Sequence, residues 1–171
     1  MISFQPPQID DATAIEHLLD RAFGHQRQRK TTYRYRTGLA PVHALSLTAR
    51  DGDELVGTNA FWPVRIGEAA TPALLLGPLA VAPERRGHGI GVALMRHGLD
   101  AAARAGHRIV VLVGDHDYYA RFGFRPAGPT GIYMPGEPRR LMARALTPDG
   151  LEGVSGRIRR GRAVRRRVKA A

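Results

Sequence analysis

The sequence predicts an α/β fold, a mixed sheet flanked by helices, and three stretches carry that reading. Residues 74–82 form an apolar run interrupted by Gly77-Pro78, residues 89–105 have helical character and stop at Gly106, and Ile109–Val113 is a short unbroken apolar run. A glycine just past a helix is a strong stop signal, and five apolar residues in a row suit a strand buried on both faces. Two such strands joined by one helix make a crossover unit, in which the strands run parallel.

The other elements follow in chain order. Residues 2–5 read as a short strand that Pro6-Pro7 ends, and Asp10 or Asp11 caps a helix over 12–23 that Gly24 closes. That helix is apolar at Ile15, Leu18, Leu19 and Ala22, one face of a 3.6-residue period. Residues 26–35 are basic and polar, and read either as a second short helix or as a loop. Alternation over 44–50 predicts a strand, Asp51-Gly52-Asp53 a hairpin turn, and 54–66 the return strand, with Pro63 marking an irregularity. Past Val113, a short helix is expected over 118–122 and strands near 124–126, 131–134 and 139–146, with 151–159 a candidate last strand.

Composition bounds the possibilities. A chain of 171 residues with 43% apolar content fits one core-forming domain, expected over 1–156, with a basic flexible tail over 157–171. The net charge of +11 is concentrated at the end: residues 151–171 hold eight Arg or Lys against the single acid Glu152. The tail suggests at most a weak, unspecific nucleic-acid contact, because no aromatics interleave its charges for base stacking. The absence of cysteine excludes disulfides, thiolate metal sites and a cysteine nucleophile. No His-rich spacing supports a metal site. The first twelve residues lack a basic start and an apolar stretch, and no apolar run approaches the ~20 residues of a membrane span, so a cytoplasmic, non-membrane protein is expected.

The turn before the long helix, 83–91, carries the chemistry. Gly87, Gly89 and Gly91 alternate where loop becomes helix, and the first helical N–H groups have no partner inside the helix. Such a turn attracts an anion, above all a phosphate, and Arg85 and Arg86 add charge beside it. The dinucleotide fingerprint G-x-G-x-x-G fails here, because Val92 or Leu94 falls where the third glycine belongs. A P-loop fails too, since the chain contains no Gly-Lys pair.

The segment Arg86-Gly87-His88-Gly89-Ile90-Gly91, preceded by Leu79-Ala80-Val81-Ala82-Pro83, resembles the pyrophosphate loop of the GNAT N-acetyltransferase superfamily. A second match, Tyr119-Ala120-Arg121-Phe122-Gly123-Phe124, follows at the family's spacing as Y-x-x-x-G-F. The resemblance implies a GNAT-like acyl-CoA N-acyltransferase fold with splayed central parallel strands. It implies acetyl-CoA as co-substrate, bound by Arg86, Gly87, His88, Gly89, Ile90 and Gly91, and by the strand edge at Leu79, Ala80 and Val81. It assigns Tyr119 as the acid that protonates the departing thiolate, a role open to a phenol with a pKa near ~10. Tyr118 is read as structural and turned elsewhere on the helix, and Asp115 as a helix cap. No residue stands out as general base.

The implied activity is transfer of an acetyl group to a primary amine by direct attack in a ternary complex. The alternative is a non-catalytic acyl-CoA-binding or nucleic-acid-associated module on the same fold. The acceptor, a small-molecule or peptide amine, would be lined by 26–35, the strand 59–62 and the loop 128–133, with Tyr33, Tyr35, Trp62 and Tyr133 as candidates. A monomer or homodimer is expected.

Overall fold

In the computed structural model, which describes residues 1–162, two long antiparallel strands are each broken in the middle, and the breaks lie side by side. The expected single strand over 54–66 is two pieces, β3 (Glu54–Asn59) and β4 (Phe61–Ile66). Its partner is likewise split into β5 (Thr71–Leu76) and β6 (Ala80–Val81). The Gly77 amide donates to the Ala60 carbonyl at 2.8 Å, which pins one break to the other. Pro78, with no amide to give, sits where the ladder stops.

On one side of the breaks, the sheet order is β1 (Ile2–Gln5), β2 (Leu47–Asp51), β3, β6. On the other it is β8 (Arg125–Pro126), β10 (Leu141–Ala145), β7 (Ile109–Val113), β5, β4, β11 (Gly156–Arg160), β9 (Ile132–Tyr133). The parallel pair expected from the crossover is present: β5 pairs with β7 through Leu74↔Val110 and Leu75↔Val111. Beyond that register the partners separate. β6 pairs with β3, through Gly57↔Val81 and Thr58↔Ala80, while β7 runs on to Val113 beside β10. A wedge therefore opens between the two parallel strands.

The crossover helix α2 (Ile90–Arg104) buries Ile90, Leu94, Met95, Leu99 and Ala102 on one face. Val110 and Leu112 of β7 point to that side, with Met95, Leu99, Phe61 and Phe124, and Ile109 and Val111 to the other, with Val64, Ile66, Leu75 and Ile158. Both faces of β7 are buried, as its unbroken apolar run requires. Gly98 lets α2 lie directly on the sheet: a Cβ there would come 2.7 Å from the Phe61 ring and 2.8 Å from the Asn59 amide nitrogen.

Asn59 has a structural task. Its side chain accepts from the Leu47 amide at 3.0 Å and donates to the Leu94 carbonyl at 2.8 Å, tying β2 and α2 to β3 while fully buried. It is not among the residues that line the cavity at the wedge.

The first helix, α1 (Ala12–Phe23), has the bounds read from sequence, and Gly24 returns its amide to Asp20 at 2.8 Å. The cap differs. Asp11 accepts from the Gln8 amide at 2.8 Å and pairs with Arg50 on β2, so its side chain joins helix to sheet instead of closing the first turn. The undecided segment 26–35 is two 3-10 turns, His25–Arg29 and Thr31–Tyr35. A short helix α3 (His116–Ala120) follows β7. The last strand, β11, runs through residues 157–160 and buries Ile158 between β4 and β9. Residues 163–171, most of the expected tail, lie outside the described residues. Among the described residues, no helix is long and apolar enough to cross a membrane.

Candidate active site

The glycine turn meets α2 with its amides free. Gly87 and Gly89 have φ of +81° and +78°, and a Cβ on either would meet nothing within 4 Å. They leave open space in front of the helix mouth in a backbone shape that side chains rarely adopt. The first helical bond runs from the Ala93 amide to the Gly89 carbonyl, at 3.0 Å. Among the described residues, the amides from Gly87 to Val92 have no backbone acceptor. Ile90 turns its side chain into the core and Gly91 has none, so at these positions the main chain is what faces outward.

The two arginines of the turn differ. Arg85 is engaged by Asp51 at 2.9 Å and Glu54 at 3.3 Å. Arg86 is exposed, with only the Ala22 carbonyl at 3.5 Å, and its charge is available to an anion. His88 is exposed, its Nδ1 3.0 Å from the Arg86 carbonyl, which it reaches as an N–H donor. Glu84 is held below the usual carboxylate range by its hydrogen bonds from Arg21, at 2.7 and 2.8 Å.

At the wedge, between the break at 76–79 and the end of β7, lies a cavity of about 460 Å³. Leu76 to Leu79 form one wall, Leu112 to Asp115 the other, and Tyr118 and Tyr119 the floor nearest α3. Leu79 and Val81 are half-buried, whereas Ala80 is buried in the cluster with Leu18, Leu19 and Leu94. Of the three strand-edge residues, Leu79 alone lines the cavity.

Tyr119 packs edge-on to Phe124, with ring centres 6.2 Å apart, and its ring covers Gly114. Burial, reinforced by Tyr118, pushes its pKa up to about 12, against the opposing pull of Arg140. Tyr118 is not turned away. Its ring stands edge-on to Tyr119 at 4.9 Å, and its hydroxyl lies 3.2 Å from where a Cβ on Gly91 would sit. It thus spans from the cavity to the first turn of α2, a position that spacing along a helix of five residues could not reveal. Asp115 accepts from the Tyr118 amide at 2.9 Å and caps α3.

The far wall comes from the two 3-10 turns, through Arg27, Thr31, Thr32 and Tyr33, and from Arg36, with Glu137 and Arg140 opposite. Of the aromatic candidates, Tyr33 lines the cavity. Tyr35 is in the core, 7% exposed, and Tyr133 is 54% exposed and away from the cavity. Trp62 stands behind the wall and donates its indole N–H to the Gly77 carbonyl at 2.6 Å. The loop 128–133 is not part of the lining. Arg36 and Arg140 went unmarked in the sequence because nothing local separates them from the other arginines. Among the described residues, no group of His, Asp or Glu is arranged to hold a metal ion.

Comparisons with known proteins agree with this geometry. A family model described as an acetyltransferase (GNAT) domain matches residues 3–127. The uncharacterized N-acetyltransferase YhbS of Escherichia coli is 32% identical over 151 residues, covering 86% of this chain and 89% of the relative. The crystal structure of Escherichia coli YhbS in complex with CoA superposes with a TM-score of 0.80 at 29% identity, over 92% of this chain and 88% of that one. A GNAT family acetyltransferase from Brucella melitensis in complex with acetyl-CoA gives 0.69 at 31% identity, over 86% and 90%.

Proposed function

This chain belongs to the GNAT acetyltransferase family, and we propose from that premise that its wedge carries acetyl-CoA to a primary amine for direct acetyl transfer. The observation that carries the reading is the divergence of β6 from β7 past Leu75↔Val111, next to a helix mouth whose amides have no backbone acceptor among the described residues. The residues present fit the co-substrate: Gly87 and Gly89 leave open the space that a Cβ would fill.

In this reading, the amides of Gly87 to Gly91 and the Arg86 guanidinium hold the pyrophosphate at the helix mouth. The free edge at Leu79 to Val81 receives the pantetheine arm and donates to the thioester oxygen, which polarises the carbonyl. His88 borders this site through its main chain. The neutral amine attacks the carbonyl carbon, the new C–N bond forms as the C–S bond breaks, and the amine's surplus proton leaves to solvent. Tyr119 donates its hydroxyl proton to the departing sulfur and regains one from solvent; its raised pKa keeps that proton on through neutral and mildly alkaline pH. Tyr118 lies where it would touch the co-substrate between the turn and the cavity. A cytoplasmic monomer or homodimer belongs to the same reading, as does a weak nucleic-acid contact through the basic tail, which a salt-dependent RNA-binding assay would test.

The decisive experiment is a thiol-release screen of amine acceptors with varied acetyl-CoA. Intersecting double-reciprocal lines and no acetylated protein are the expected result. Parallel lines with a persistent acetyl-enzyme, or no CoA binding by calorimetry, would overturn the proposal.

A further inference from the structure

The cavity holds a cation that the transfer chemistry does not use. Arg36 follows the second 3-10 turn and is 8% exposed, yet its guanidinium forms part of the cavity wall. It lies 4.8 Å over the Tyr33 ring and 5.9 Å from the Trp62 ring centre, with one terminal nitrogen against Gly77. Among the described residues, no carboxylate pairs with it, and its Nε has no hydrogen-bond partner.

Its neighbour Arg27 shows what a satisfied arginine looks like here. Arg27 is equally buried but meets Asp20 at 2.8 Å, Tyr33 at 2.7 Å and Glu16. A buried charge without a carboxylate partner is costly, and a carboxylate brought by a ligand would offset that cost. Burial pulls the Arg36 pKa down to about 10, so the group is still a cation at neutral pH.

We infer that Arg36 receives a carboxylate of the acceptor, so that the amine acetylated here belongs to a small molecule with a carboxylate close to that amine, such as a free amino acid. The inference rests on the acetyltransferase reading and narrows its substrate class. Three features support it. The aromatic faces of Tyr33 and Trp62 hold the guanidinium plane, which suits the forked, two-point grip that arginine makes on a carboxylate. Gly77, against which it rests, is two residues before Leu79, so a carboxylate on Arg36 lies near the strand edge assigned to the thioester. The cavity wall also carries Arg29, Lys30 and Arg140 against the acids Asp115 and Glu137, a balance that repels polycationic amines.

The test compares matched acceptors on the full chain: free amino acids, their amides and the corresponding dipeptides, in thiol release and in thermal shift with CoA present. Free amino acids should show a KM lower by roughly 30-fold or more than their amides, the scale of one buried charge contact. Arg36→Gln should abolish that difference, and Arg36→Lys should restore part of it, while CoA affinity by calorimetry stays within two-fold in both. Equal KM and equal thermal shifts for acid and amide in the unmodified protein would overturn the inference even if a variant fails to fold. If CoA binds and this comparison fails, the acetyltransferase reading survives without the carboxylate. If CoA does not bind, both fall.

Discussion

Tyr119 and Arg36 line a single cavity, and each is shaped by being half or wholly out of water. For Tyr119→Phe, kcat should fall by about 10²-fold, the scale of a lost general acid, with the CoA dissociation constant nearly unchanged. Loss of CoA affinity with kcat preserved would make Tyr119 an anchor instead. Because burial raises the Tyr119 pKa to about 12, the hydroxyl holds its proton below that pH. The alkaline limb of kcat should therefore stay flat through about pH 10, where an ordinary phenol would already be half ionised. Tyr119 was singled out in the sequence by a resemblance, through its distance from Gly123-Phe124, and it lines the cavity. Tyr118 was not, because its reach to Gly91 depends on how α3 leans on α2, which no spacing along the chain records. The task of Asn59 was not legible for a similar reason: an amide on a strand next to Phe61 and Trp62 gives no sign that it spans β2 and α2.

At the level of elements, the contact of α2 with the broken strands sets the wedge. Gly98→Ala would drive a methyl into Phe61 and Asn59, and should cost ~1–3 kcal/mol by urea unfolding, as overpacked cores do. The helix mouth calls for a different measurement. Gly89→Ala puts a methyl into space that no protein atom occupies, at a φ of +78°. It should weaken CoA binding about tenfold or more while costing ~1–2 kcal/mol of stability. If affinity is untouched, the pyrophosphate lies elsewhere. The helices and the parallel pair were legible because periodicity and glycine stops are local signals. The splitting of 54–66 was not, because that break lies against the partner strand's break at Gly77-Pro78, bonded through the Ala60 carbonyl, and the pairing is not a local signal.

Across the whole molecule, the final strand is laid between β4 and β9. A chain ending at Ser155 would lose β11 and buried Ile158 and would uncover the edge of β4. Relative to one ending at Arg162, it should be destabilised by at least ~2–5 kcal/mol, the cost of an emptied isoleucine site, with a matching fall in Tm. Equal Tm values would mean that β11 is an ornament. Local patterns in the chain were sufficient for the crossover unit, the glycine turn and the tyrosine before Gly123-Phe124, because a helix start, a stop and a strand are each written within about twenty consecutive residues. The wedge, the burial of Arg36 at the cavity wall and the reach of Tyr118 arise from segments far apart in sequence that meet only when the sheet forms. Burial and neutralisation depend on which distant groups arrive, and that is a property of the folded chain.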